Sequence, residues 1–410
     1  MIFIFAALLI NSMHKICVDS VGHLAAWCGI YLLMFTDAFF ELSVSVMIGL
    51  PSLAFAMVSI MLLMRCLKSI SWLSLAMSAG LLALSMQTKF FTALLIPILV
   101  AVLWVRLKSF RITLVWLSIV LVVYAFIGLA SGSLSYAYLV APHVDGAVRL
   151  SYDESRGWAY LVSLAGKNIE CLVLALVGTI VVFVRRRYDG LLPLAWVVVA
   201  SIILAFHRPI WYHHYLLIAI PMAWLASYSI LPLSEVIFEK KMSWEFLRAM
   251  FHKNKRNGLV VGSLMSVLLV LASFGMRLFP LEYKKPAKNG LEWKMVERVK
   301  QYQKGTRWVF SDCPMIPFDA GLVVPPTLAV LSQKRFVSGS LDLNKLHEIL
   351  VRFAPEQIVL SNRQKEIYGH AGIREWLGKN YIRTYSEPDY NRKKGNALEH
   401  YLIKSHTLAP

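Results

Sequence analysis

Apolar residues gather into long runs at about 1–13, 21–36, 44–64, 70–87, 90–105, 112–131, 169–184, 191–206, 215–233 and 259–279. Most approach the roughly 20 residues that a helix needs to cross a hydrocarbon core of about 30 Å. Backbone in lipid must satisfy its own hydrogen bonds, so runs of this kind are read as helices. The pattern predicts a polytopic α-helical membrane protein with about 10 transmembrane helices over residues 1–280. The loops are short except at 132–168 and 234–257. The first run meets His14-Lys15 after about 13 residues, roughly 20 Å of helix, which is short for a span.

Beyond Pro280 the apolar density falls and the period changes, which sets a boundary between residues 1–280 and 281–410. Residues 307–311, 335–337, 357–361, 381–385 and 399–403 read as strands, bounded by Pro, Gly and Asp. Apolar positions at 343, 346, 349, 350 and 353 have helical spacing, and 373–377 reads as a further helix. The tail is thus a small α/β domain. It has no Gly-rich phosphate loop and no nucleophile elbow.

Composition supports the membrane reading. The 410 residues are 58% hydrophobic and 16% charged, against about a quarter charged in soluble domains. The net charge of +18 comes largely from basic loops and not from a basic stripe interleaved with aromatics, so nucleic acid is not an expected partner. The cysteines (Cys17, Cys28, Cys66, Cys171 and Cys313) show neither CxxC nor Cys/His ligand spacing. No disulfide framework is indicated and no cofactor is assigned; a divalent metal is left open, because no compact cluster has ligand spacing.

Loop charges orient the bundle. One alternating set of connections carries Lys15; Arg65 and Lys68; Arg106, Lys108 and Arg111; Arg185–Arg187; and the basic residues of 240–256. The other carries Asp37 and Glu41, Lys89, the 132–168 loop and His207–His214. The richer basic set is assigned to the cytoplasm by the positive-inside tendency. The tail 281–410 then becomes an extracytoplasmic α/β domain. Residues 234–257, with Trp244, Phe246, Leu247 and Phe251 among cations, read as an amphipathic helix lying on anionic membrane lipid.

The outer face collects the unusual residues. His207-Arg208-Pro209-Ile210-Trp211-Tyr212-His213-His214-Tyr215 carries more His than a hairpin tip requires. Trp and Tyr there are ordinary interfacial anchors, but the His and Arg suit an anion. Asp37 and Glu41 are four residues apart, on one side of a helix. They serve either as carboxylates with chemistry at membrane depth or as caps of helix ends. Lys89 is either a lysine snorkelling to lipid headgroups or a point charge for phosphate. In the 132–168 loop, Pro142-His143-Val144-Asp145 forms the one compact polar knot, otherwise read as solvated surface.

Two segments carry a resemblance. Ser78–Lys89 followed by Phe90–Pro97, and His207–Leu217, are similar to the helix hairpin and the His-Pro-Trp-His turn of GT-C membrane glycosyltransferases. The grouping meant is the dolichyl-phosphate-mannose–protein mannosyltransferase and aminoarabinose transferase-like superfamily. In the tail, Ser311-Asp312-Cys313-Pro314, Val324-Pro325-Pro326, Ser338-Gly339-Ser340 and Pro355–Leu360 resemble the outer domain of its bacterial members.

The resemblance implies an enzyme of a bacterial inner membrane. It would transfer a sugar from a polyprenyl-phosphate donor to a lipid, protein or glycan acceptor with inversion. Cations would stabilise the leaving phosphate and a carboxylate would take the acceptor proton. On this reading Lys89, His207, Arg208, Tyr212, His213 and His143 bind the lipid phosphate. Family members begin with one more helix and a first loop bearing an acidic residue, and often carry an acid before the Pro that stands here in Gly49-Leu50-Pro51. The resemblance therefore implies an N-terminally truncated chain, incomplete for catalysis as written, with Glu41 and Asp37 as substitute catalytic carboxylates. Two other readings stand beside it: a transporter or flippase of lipid-linked sugars, and a non-catalytic glycan-binding membrane protein. Paired broken helices or inverted repeats would favour the transporter.

Overall fold

The computed structural model describes residues 2–44, 49–134, 158–207, 210, 212–239, 255–278, 291–329, 331, 335–336, 341–361, 363–388 and 397–406. At Asp37, Glu41 and Tyr212, among others, it describes the backbone alone. Two compact units result: a helical one within residues 1–280 and, among the described residues, a mixed one within 281–410.

The helical unit begins with α1 (Ile2–Val21), α2 (His23–Met34), α3 (Asp37–Val44), α4 (Gly49–Lys68) and α5 (Trp72–Thr88). A 3₁₀ turn at Phe90–Leu94 leads into α6 (Leu95–Leu107), followed by α7 (Phe110–Ala130). Then come α8 (Trp158–Gly166), α9 (Ile169–Val184), α10 (Leu191–Phe206), α11 (Leu216–Tyr228), α12 (Leu231–Glu239) and α13 (Lys255–Leu278). Among the described residues, five helical segments are long and apolar enough to cross a membrane: Ile2–Val21, Gly49–Lys68, Phe90–Leu107, Phe110–Ala130 and Tyr188–Phe206. Shorter apolar helices cover His23–Met34, Ile169–Val184 and Val261–Ala272.

Several boundaries differ from the sequence expectation. The first helix does not stop at His14-Lys15; it continues for 20 residues to Val21, about 30 Å and a full span. Helix propagation outweighs one Lys near the end, whose stem can reach the interface. The run at 21–36 gives a 12-residue helix, because Thr36 ends it: its Oγ1 donates to the Leu33 carbonyl and accepts from the Phe39 N–H at the start of α3. Part of the 132–168 loop is helical, at α8. The proposed surface helix within 234–257 lies largely outside the described residues.

Helix α11 is the hub. Every one of its residues is buried, and it packs against α1, α2, α9 and α10. Close approach is made possible by glycine: a Cβ on Gly29 of α2 would lie 2.8 Å from the Ala223 carbonyl oxygen, and one on Gly178 of α9 would lie 1.9 Å from that of Leu225. Small residues at helix contacts are the usual means of close packing in lipid, where apolar burial alone supplies little drive. The outer faces stay apolar, as Val105, Phe126, Leu129 and Phe206 are all strongly exposed. Such faces suit lipid contact.

The second unit is built on a four-stranded sheet of β1 (Val309–Ser311), β2 (Gln357–Leu360), β3 (Tyr381–Pro388) and β4 (Ala397–Ile403), in the order β1-β2-β4-β3. The β1–β2 pair is parallel and the other two are antiparallel. Helix α16 (Leu343–Phe353) lies in the crossover between the parallel strands; further helices are α14 (Leu291–Gln301), α15 (Met315–Asp319), α17 (Gln364–Gly369) and α18 (Ala371–Asn380). The strands at 309–311, 357–360, 381–388 and 397–403 fall where the sequence places strands at 307–311, 357–361, 381–385 and 399–403. The expected strand at 335–337 does not form where described, since Arg335 and Phe336 are helical.

Two family-like segments in this unit have structural work. Asp312 accepts from the N–H groups of Ser361 (2.8 Å) and Arg363 (2.6 Å), tying the end of β1 to the end of β2. Glu356 accepts from the Arg307 (3.0 Å) and Trp308 (2.7 Å) N–H groups at the other end. Buried His400 has its Nε2 2.9 Å from Gln357 Oε1 and its Nδ1 2.5 Å from Thr384 Oγ1. Burial, helped by the nearby Arg298 guanidinium, pushes its pKa down to about 4.

Candidate phosphate site at one end of the helical bundle

Lys89 is the residue at which α5 stops. Its φ of −157° and ψ of 115° are extended, so the chain leaves the helix and enters the 3₁₀ turn at Phe90–Leu94. Buried hydroxyls hold this corner. Ser52 on α4 donates to the Ser85 carbonyl (2.9 Å), and Ser85 donates back to the Ser52 carbonyl (2.7 Å). Thr92 donates to the Lys89 carbonyl at 3.1 Å. The corner is fixed by satisfied polar groups, the usual condition for burying them without loss.

From this corner Lys89 extends towards the start of α4, where a Cβ on Gly49 would lie 3.6 Å from Nζ. Nζ also stands 5.7 Å from the centre of the Phe91 ring, within cation–π range. Phe91 is an aromatic hub, with ring centres 4.7 Å from His207 and 4.8 Å from His214. His207 and His214 are 5.2 Å apart, and His213 is 4.4 Å from His214. The 3₁₀ turn Tyr212–Tyr215 that carries two of these His packs against α3, which bears Asp37 and Glu41, and against α8.

The electrostatics are asymmetric. Burial, with a contribution from the Lys89 charge, pushes the His213 pKa down to about 4. His213 is therefore neutral at physiological pH, and Lys89 supplies positive charge to the described cluster. A neutral imidazole still donates one N–H. The arrangement suits an anion that takes one full charge from Lys89 and hydrogen bonds from histidine. Among the described residues, no group of three or more His, Cys, Asp or Glu could hold a metal ion.

Of the sequence candidates, Lys89, His207 and His213 come together here. His143 and Arg208 lie outside the described residues, as do the side chains of Asp37, Glu41 and Tyr212. Sequence reasoning missed Phe91 as the ring that gathers the cluster, and Ser52, Ser85 and Thr92 as its anchors. A signal for two of the serines was available: Ser52 and Ser59 on α4, and Ser78 and Ser85 on α5, repeat at seven residues. That interval marks one helix face, and the two faces meet, with Ser59 Oγ donating to the Ser78 carbonyl at 2.7 Å.

No family model matches the chain, and no curated protein matches its sequence. Solved structures do match by fold. ArnT from Cupriavidus metallidurans in the apo state superposes with a TM-score of 0.56 at 11% identity, covering 99% of this chain and 83% of that one. The same protein bound to undecaprenyl phosphate superposes with a TM-score of 0.57 at 11% identity, covering 98% and 83%. At this identity the likeness establishes the fold alone, a polytopic helical membrane architecture shared with ArnT.

Proposed function

We propose that this protein is a glycosyltransferase that takes a sugar from a polyprenyl-phosphate donor. The observation that carries the reading is the Lys89–Phe91–His207–His213 cluster, a compact cationic and hydrogen-bonding corner at one end of the bundle. Its support is the fold shared with ArnT, one of whose structures holds undecaprenyl phosphate.

In the proposed reaction an acceptor hydroxyl attacks the anomeric carbon of the donor sugar. The bond from that carbon to the phosphate oxygen breaks, and polyprenyl phosphate departs with the electron pair. Lys89 offsets the charge growing on the phosphate, which is the group of effects that usually dominates such catalysis. Neutral His213 donates a hydrogen bond to a phosphate oxygen, and His207 orients the group; Arg208, Tyr212 and His143 complete the binding set. A carboxylate on α3, Glu41 or Asp37, takes the acceptor proton. The acceptor is a lipid, protein or glycan, and the protein resides in a bacterial inner membrane with residues 281–410 outside.

The test is transfer from a radiolabelled polyprenyl-phosphate sugar in membranes containing the full chain. Label should enter an acceptor, and Lys89→Ala or Arg208→Ala should abolish it. Transfer unaffected by both substitutions would refute the phosphate site. Vectorial movement of the intact donor without transfer would favour a transporter.

A further inference from the structure

A basic concavity lies at the end of α4 far from Lys89. Gly49 opens that 20-residue helix beside Lys89 and Lys68 closes it, about 28 Å away at 1.5 Å per residue. Around Lys68 is a cavity of about 250 Å³ lined by Lys15, Arg65, Lys68, Arg106 and Arg187, with Asp19 and Asp189. The cations come from α1, α4, α6 and the turn after α9, four elements distant in sequence. Met61, Met64 and Ile16 form its apolar wall.

Basic residues at one membrane face are expected from topology alone, and such residues usually spread over solvated loops. Here the carboxylates are already engaged. Asp19 pairs with Lys68 at 2.7 Å, and Asp189 accepts from the Tyr228 hydroxyl at 3.1 Å. Arg187 is half-buried and drawn inward: its Nη2 donates to the Ser20 carbonyl at 2.7 Å, while its Nε is buried without a hydrogen-bond partner among the described residues. The chain is turned to allow this. Arg186 adopts φ 52°, the Arg186 N–H reaches the Phe183 carbonyl at 3.2 Å and the Arg187 N–H reaches that of Val182 at 2.9 Å, a Schellman ending with Arg in the left-handed position usually held by Gly.

We propose that this cavity binds a phosphate-bearing anion, at the opposite end of the bundle from Lys89. Guanidinium groups converging from separate helices match the several oxygens of a phosphate, which they bind in bidentate fashion. The anion comes either from the headgroup of a membrane lipid, whose glycerol and chains would meet the Met wall, or from a phosphate compound in the aqueous phase. The inference does not rest on the transferase reading, because it uses none of the same residues.

The experiment uses the full chain carrying Lys89→Ala, so that the other end does not report, purified in a non-ionic detergent. It is titrated by thermophoresis with inorganic pyrophosphate and, separately, with short-chain phosphatidylglycerol. Saturable binding of at least one probe is expected, weakened at least tenfold by R65Q/R106Q, with K108Q/R111Q leaving the Kd unchanged. The latter pair removes the same charge, from the end of α6 and the first turn of α7, but does not line the cavity. Binding of phosphatidylglycerol alone identifies a lipid headgroup, and binding of pyrophosphate identifies an aqueous source. Absence of saturable binding by both probes overturns the proposal. So does a Kd insensitive to R65Q/R106Q, or an equal loss in both double variants, which would mark diffuse surface charge.

Discussion

Lys89 and Gly49, forty positions apart, meet at one end of the bundle, with a Cβ on Gly49 standing 3.6 Å from the lysine Nζ. That separation is ordinary contact, so Gly49→Ala should leave the site intact. Gly49→Asp should place a carboxylate against Nζ and compete with a bound phosphate. The expected result is undecaprenyl phosphate binding at least tenfold weaker in Gly49→Asp, about 1.4 kcal/mol, and unchanged in Gly49→Ala. Equal affinity in both variants would remove Nζ from the binding site.

The hub helix makes a sharper structural prediction. Gly178 has no room for a methyl, with the Leu225 carbonyl oxygen 1.9 Å from an added Cβ. Gly178→Ala should force α9 and α11 apart, and overpacking of this kind costs about 1–3 kcal/mol or more. Gly80→Ala on α5 meets nothing within 4 Å and should be neutral or stabilising by up to about 1 kcal/mol, from helix propensity. Thermal unfolding in detergent, followed by size-exclusion yield, separates the two. Equal Tm values would contradict the close packing.

In the mixed unit, His400 supplies a pH dependence. Its folded pKa of about 4 lies below the roughly 6.5 of an unfolded histidine. The unfolded chain therefore takes up the proton first, so stability is complete above about pH 6.5 and is lost as pH falls towards 4. The full loss is up to roughly 3 kcal/mol. Protection factors over β2 and β4 of the full chain, taken relative to the intrinsic exchange rate at each pH, should fall between pH 7 and 5, and His400→Gln should flatten that response. An unchanged slope in His400→Gln would assign the acid sensitivity to other groups.

Much of the fold was legible because lipid and sheets each impose one simple rule. Long apolar runs had to be helices, and the short apolar and aromatic segments at 309–311, 357–360 and 397–403, bounded by turn residues or charges, read as strands. The exceptions arose where a single residue decided the outcome. Gly22 and Thr36 close the two ends of α2, which leaves a helix shorter than the apolar run at 21–36. Lys15, read as a loop residue, lies within a helix that carries on to Val21. Helix α14 was missed because its apolar positions, such as Met295, Val296 and Val299, are few among charges.

The site was partly legible for a related reason. Lys89 and His213 stand out as polar residues in apolar surroundings, so the sequence points to them. Phe91 is one aromatic among many, and nothing in its local pattern says that it gathers His207 and His214. That information lies in the packing of α5, the 3₁₀ turn after it and the segment between α10 and α11, which is tertiary. The neutrality of His213 likewise comes from burial beside Lys89, not from any motif.

The most direct measurement is equilibrium binding of undecaprenyl phosphate to the purified full chain and to its Lys89→Ala and Lys89→Arg variants. If Lys89 holds the lipid phosphate, Lys89→Ala should weaken binding by about 10- to 100-fold, equivalent to roughly 1.4–2.8 kcal/mol. Lys89→Arg, which keeps the charge, should recover part of the loss. Undiminished binding by Lys89→Ala, in a chain whose Tm matches the parent, would contradict the site.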